Sequence, residues 1–208
     1  MPFLGLFIAV VCLFTFFRKR SNRSQENVTD CFWKRESIAN NTRLQDLSGL
    51  PYITIPFDKF PIGMYENDLL KNYENTLQTL SGQKIVNFGT QTNTDLKITY
   101  GTASLPALTE YEQNFTTLCQ TLTAYAGQLF ELGHTDDART ILEYGISIGS
   151  DLSQNYLLLA KIYQSSGENG RIRELLASAE QLDSLMKRSI VEKLTAMLPE
   201  DTANTPVQ

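Results

Sequence analysis

Apolar residues recur three and four positions apart over most of the chain after residue 66, the spacing of one face of an α-helix. Residues 66–80 place Leu69, Leu70, Tyr73, Leu77 and Leu80 on one side of a predicted helix. The stretch "NTDLKITYG" predicts a shorter helix, capped by Thr94 or Asp95 and ended by Gly101. A further helix is expected to start after Pro106 and to run on past residue 119, broken near Asn114. Ala138, Ile141, Leu142, Gly145 and Ile148 then mark one amphipathic helix, and Ile172, Leu175, Leu176, Ala179 and Leu182 mark another with the same spacing. The last stripe, Ile190, Val191, Leu194, Met197 and Leu198, carries Lys187, Arg188, Glu192 and Lys193 outside it and is closed by Pro199. Between residues 50 and 63 the pattern changes, because Pro51, Pro56 and Pro61 exclude a helix and force an extended path.

Two of these helical stretches are one motif used twice. Shifted by thirty-four residues, Leu122 falls on Tyr156, Tyr125 on Leu159, Ala126 on Ala160, Leu129 on Tyr163, Gly133 on Gly167, Ala138 on Ile172, Leu142 on Leu176 and Gly145 on Ala179. A fixed period of this length marks a stacked array of helix hairpins. Gly133 and Gly167 stand where the first helix of each unit must stop and reverse, a left-handed position that a Cβ would penalise. Asp136 and Asp137 follow at the start of the next helix, where carboxylates are expected to cap free N–H groups. His134, the single histidine, is expected to face solvent in the turn. Its counterpart one unit later is Glu168, which does not favour a catalytic reading.

These positions resemble the tetratricopeptide repeat, whose pattern W-x2-L-G-x2-Y, A-x3-F, P is met as Leu122, Tyr125, Ala126, Leu129, Ala138 and Leu142. The second unit meets it as Tyr156, Leu159, Ala160, Tyr163, Ile172 and Leu176. Leu122 and Tyr156 fill the Trp slot, Ile172 fills a slot usually small, and Ser150 and Ser184 stand where Pro is usual. The resemblance implies that the first helix of each unit lines a concave, partner-binding surface. Here that surface would offer Gln120, Thr123, Gly127, Phe130, Glu131, Gln154, Leu157, Lys161 and Gln164. With one cation it lacks a basic clamp for a terminal carboxylate, so the partner it implies is an extended, partly apolar segment of a protein. The overall pattern is also similar to a group of single-pass membrane proteins from clostridial Gram-positive bacteria, a likeness that implies no activity.

The fold class expected is all-α, in a fixed order along the chain. Residues 1–20 form a membrane anchor with a basic flank, 21–42 a polar juxtamembrane linker, and 43–118 the extended strap plus helical cover. Two repeats follow at 119–152 and 153–186, then a capping helix at 187–199 and a disordered tail at 200–208. Residues 2–17 carry no charge and would make a helix of about 24 Å, short of a hydrocarbon core of about 30 Å, so the span needs some thinning of the bilayer. Arg18, Lys19, Arg20 and Arg23 all flank its C-terminal side, which is expected to hold the rest of the chain in the cytoplasm at the cell membrane.

Charge narrows the partners further. The net charge of -5 divides into +4 over residues 1–35 and -9 beyond, which argues against a nucleic-acid surface on the folded part. Cys12, Cys31 and Cys119 are too few and too scattered for a disulfide framework or a zinc site. No phosphate loop, dinucleotide fingerprint, zinc-protease or nucleophile-elbow pattern occurs, and no cofactor or metal is implied. The expectation is therefore a scaffold or adaptor and not an enzyme. Two alternatives stay open: an enzyme with an unrecognised site in residues 43–105, where Asp58, Lys59, Asp68, Asp95 and Lys97 are candidates, or an extracytoplasmic binding domain in the opposite orientation.

Overall fold

The computed structural model describes residues 29–198 together with Phe7, Phe14 and Phe17. Among these the chain is all-α, with no strand. The expected span over 2–17 lies outside the described residues except for those three phenylalanines, which are helical and exposed. Among the described residues no helix is long and apolar enough to cross a membrane. Pro199 and the tail expected at 200–208 also lie outside them.

The chain divides into two compact units, residues 1–47 with 92–105, and residues 48–91 with 106–208. In the first, residues 29–41 are helical (α1) where a polar linker was expected. Helix α3, Asn93–Tyr100, gives α1 its partner. Arg35 pairs with Asp95 and Glu36 with Lys97, while the Thr94 hydroxyl donates to Glu36 at 2.9 Å. Thr102, in the short 3-10 turn Thr102–Ser104, donates to the carbonyl of Ala39 at 3.1 Å. The cap of α3 is Thr92, with Asp95 returning the bond in a capping box, one turn earlier than the cap expected from the sequence. Lys97 and Thr92 hold the Glu36 and Asp95 carboxyls below their ordinary range.

In the second unit, residues 51–56 run extended, the 3-10 turn Phe57–Lys59 follows, and the chain then turns again, with Met64 N–H donating to the Pro61 carbonyl at 3.2 Å; Ile55 and Phe60 are buried. Helix α2, Asp68–Ser81, is capped by Asn67, whose side chain accepts from Leu69 and Leu70. Its buried line is Leu70, Glu74, Leu77 and Leu80, so Leu69, about 100° around the helix from Leu70, is exposed where the apolar stripe predicted burial. Helix α4, Leu105–Glu131, runs unbroken through Asn114, whose amide reaches out to the Lys84 carbonyl at 3.0 Å instead of capping a new helix.

Helices α4 and α5 (Thr135–Ser147) form one hairpin, and α6 (Ser153–Ser165) and α7 (Asn169–Glu180) a second. The two turns are superposable bond for bond. His134 N–H donates to the Leu129 carbonyl at 2.9 Å and Gly133 N–H to Phe130 at 3.1 Å. Glu168 donates to Tyr163 at 2.8 Å and Gly167 to Gln164 at 3.1 Å. Gly133 and Gly167 have φ of +88° and +74°, the left-handed corner that this pair of bonds requires. The cores repeat as well: Leu122, Tyr125, Ala126, Leu129, Ala138, Ile141 and Leu142 are buried, as are Tyr156, Leu159, Ala160, Tyr163, Ile172, Leu175 and Ala179. Each large side chain in these sets contributes about 1.5–3 kcal/mol by leaving water. Gly145 permits the close approach of α6, because a Cβ there would lie 2.8 Å from the Asn155 amide. Helix α8, Lys187–Met197, closes the array on α7 and α6, burying Ile190 and Leu194.

The aspartates of the first turn do not cap α5. His134 occupies the cap position without a side-chain bond, and Asp137 accepts the Tyr65 hydroxyl at 2.6 Å. His134 is half-buried and not free in solvent, its ring stacked on Tyr65 at 3.7 Å between centroids.

Candidate functional site: the exposed face of the paired hairpins

Helical spacing places Gln120, Thr123, Gly127, Phe130 and Glu131 along α4, and Gln154, Leu157, Lys161 and Gln164 along α6. Gln120, Glu131, Gln154, Lys161 and Gln164 are exposed; Gly127, Phe130 and Leu157 are half-buried. Thr123 leaves the set, because it is buried and its hydroxyl is spent on the Cys119 carbonyl at 2.8 Å. A threonine turned back on its own helix satisfies itself locally and presents nothing to a partner. Gln164 donates to the Met197 carbonyl at 3.4 Å, which ties one end of the face to α8.

The two helices meet on this face at Phe130 and Lys161. The Lys161 ammonium lies 5.1 Å from the Phe130 ring centroid, covering an apolar surface that sequence alone leaves bare. Phe130 and Leu157 both pack their inner sides against the core, so their outer sides are rigidly placed. The surface is thus a pair of fixed apolar bodies with amide side chains about them, one cation and one carboxylate. Such a surface offers apolar contact and side-chain amides that can donate and accept hydrogen bonds.

The proline-spaced strap does not lie here. Ile53 N–H donates to the Ile85 carbonyl at 2.9 Å, Tyr144 donates to the Thr54 carbonyl at 2.9 Å, and Tyr125 to the Pro61 carbonyl at 3.4 Å. Phe60 packs edge-on against Tyr144, with 5.4 Å between ring centroids. Glu74, buried on α2, accepts both the Tyr125 hydroxyl at 3.0 Å and the Gly63 amide at 3.2 Å. Burial, then the Glu74 carboxylate, push the Tyr125 hydroxyl well above its ordinary pKa, so it remains a donor at all ordinary pH. The Tyr65 hydroxyl is raised likewise by its bond to Asp137.

Between the hairpins lies a polar link that the sequence pattern did not reveal. Arg139 on α5 donates to both carboxylate oxygens of Glu168, at 2.7 and 3.2 Å, and to Glu143 at 3.0 Å. Tyr163 donates to Glu143 at 2.7 Å, and the Arg139 guanidinium lies 5.0 Å from its ring centroid. Burial works against the Glu143 charge, yet Tyr163 and Arg139 hold its carboxyl below the ordinary range. Arg139 and Glu168 stand twenty-nine residues apart, outside the register of the repeat, so the period gave no signal of the pair.

The candidates for chemistry are dispersed. Asp58, Lys59 and Asp68 are exposed in the second unit, while Asp95 and Lys97 in the first are committed to Arg35 and Glu36. Cys119 is buried in the middle of α4, where burial pushes its thiol up to about 12. Among the described residues no three His, Cys, Asp or Glu side chains are grouped as metal ligands would be. No family model matches the chain, and no curated protein or solved structure is significantly similar to it.

Proposed function

We propose that this chain is a membrane-held adaptor of the tetratricopeptide kind, which binds an extended, partly apolar segment of another protein across the exposed face of α4 and α6. Residues 2–17 would hold it in the membrane and the helical domain would work on the cytoplasmic side. The observation that carries this reading is the pair Phe130 and Leu157: two apolar side chains, braced from behind by the core, on a face that the strap leaves uncovered. A surface of that kind gains little from charge and most from a few buried apolar anchors.

The test is photocrosslinking in intact cells from a reactive amino acid at Gln120 or Gln154, followed by the same capture with Phe130→Ala. The reading expects one discrete product, weakened about tenfold or more by Phe130→Ala and little by Lys161→Glu. Capture that is indifferent to Phe130 would remove the groove from the account. Protease protection of vesicles tests the orientation, and digestion of residues 29–198 from the outer face would reverse it.

A further inference from the structure

The stack of Tyr65 on His134 and the bond from Tyr65 to Asp137 bring residues 63–69 against the turn at 131–137. Three large apolar side chains on these two segments stand in water: Met64 is 72% exposed, Leu69 52% and Leu132 43%. None is explained by the packing of the unit. Leu69 belongs to the apolar stripe of α2 by spacing, yet α2 buries the neighbouring line instead. Exposed single hydrophobic residues are ordinary, but three on two short segments held together by a ring stack and a hydrogen bond have the composition of an interface core.

The corner has a rim of one sign. Glu66, Asp68 and Asp136 are exposed on the same two segments, and the cation closest to them in sequence is Lys71. Arg139, further along α5, is occupied by Glu143 and Glu168. An apolar centre inside an acidic rim repels anionic lipid headgroups, which disfavours a membrane surface as its occupant. The same arrangement attracts and orients a segment that carries the opposite charge about an apolar stripe.

We infer that this corner is a second docking surface, separate from the face of α4 and α6, and that its occupant is a cationic amphipathic segment of a protein partner. Met64, Leu69 and Leu132 take the apolar stripe, and the three carboxylates take the flanking lysines or arginines. Because the acids are exposed, they contribute encounter rate and salt dependence, and the apolar trio contributes most of the residence time.

The probe is a synthetic helical peptide of leucine and lysine at amphipathic spacing, titrated by fluorescence anisotropy into the full chain held in neutral-lipid nanodiscs. Changing Met64, Leu69 and Leu132 together to Ser should weaken binding at least tenfold with the helical circular dichroism unchanged. Glu66→Lys, Asp68→Lys and Asp136→Lys together should weaken it and flatten its salt dependence. The matched triple Asp58→Lys, Glu110→Lys and Glu180→Lys, which alters net charge equally elsewhere, should do so much less. Phe130→Ala should leave peptide binding unchanged. Equal loss from both charge triples, or no loss from the serine triple, would mean that the peptide answers only to an acidic protein and would overturn the inference. Tighter binding of the corner to anionic vesicles than to the peptide, abolished by the serine triple, would overturn it in favour of lipid.

Discussion

The two hairpins share a fold and differ in what covers them, and their sequences diverge at the positions where the cover attaches. The first hairpin holds the strap through Tyr125, His134, Asp137 and Tyr144. Thirty-four residues later the same positions are Leu159, Glu168, Arg171 and Ser178, none of which could make the same contacts. The second hairpin is instead closed by the apolar face of α8, and its Glu168 is turned back to Arg139 of the first. A repeat thus keeps the residues that form its own hairpin and frees the rest to fit whatever lies beside it. An extended strap has carbonyls that need donors, and tyrosines supply them; a helix covering its neighbour has none to offer on its packed face.

If that difference is real, the first hairpin is most sensitive to losing its strap. Phe60→Ala removes a buried ring from between the strap and Tyr144 and should cost about 3–5 kcal/mol in chemical denaturation. Glu74→Ala leaves the Gly63 amide without its acceptor and the Tyr125 hydroxyl with only the longer contact to the Pro61 carbonyl, and should cost about 1–3 kcal/mol by the same measurement. Tyr65→Phe keeps the stack on His134 and removes only the bond to Asp137, for about 0.5–1.5 kcal/mol. Between the hairpins the polar link is partly exposed, so Arg139→Ala should cost no more than about 1 kcal/mol.

The smallest effect is one of pH. Glu143 has its carboxyl lowered in the folded chain, so the stabilisation it brings is complete above the ordinary carboxylate pKa and is lost as pH falls through the folded value. Amide exchange in α6 and α7, taken relative to the intrinsic rate at each pH, should therefore rise on acidification through that range, and Glu143→Gln should remove the part of the rise that Glu143 causes. Retention of the full rise in Glu143→Gln would assign it to other carboxylates.

The hairpins were legible because their information is local and repeated. The apolar spacing, the reversing glycines and the small residue Gly145 each act within one turn or between adjacent helices. The strap's seat was not legible, since Tyr144 meets Thr54 and Tyr125 meets Pro61 across more than sixty residues, and no periodicity records such a pairing. Helix α1 was hidden for another reason. Its described residues pair with α3 through Arg35 and Glu36, and Phe32, Trp33 and Ile38 are exposed, so it has no apolar stripe to read. Glu74 interrupts an otherwise apolar line on α2, and only the partners it accepts from explain its burial. Of the residues proposed to meet a partner, Thr123 was misplaced by spacing alone, because α4 turns that position inward.

The most direct test gives the first hairpin the second hairpin's residues at the two hydroxyl anchors, Tyr125→Leu with Tyr144→Ser, and follows native-state amide exchange along the chain. If the tyrosines hold the strap, protection should fall about tenfold or more in α2 and the first hairpin, while α6, α7 and α8 keep theirs. Equal loss in both hairpins, or none in the first, would contradict the claim that their difference lies in what covers them.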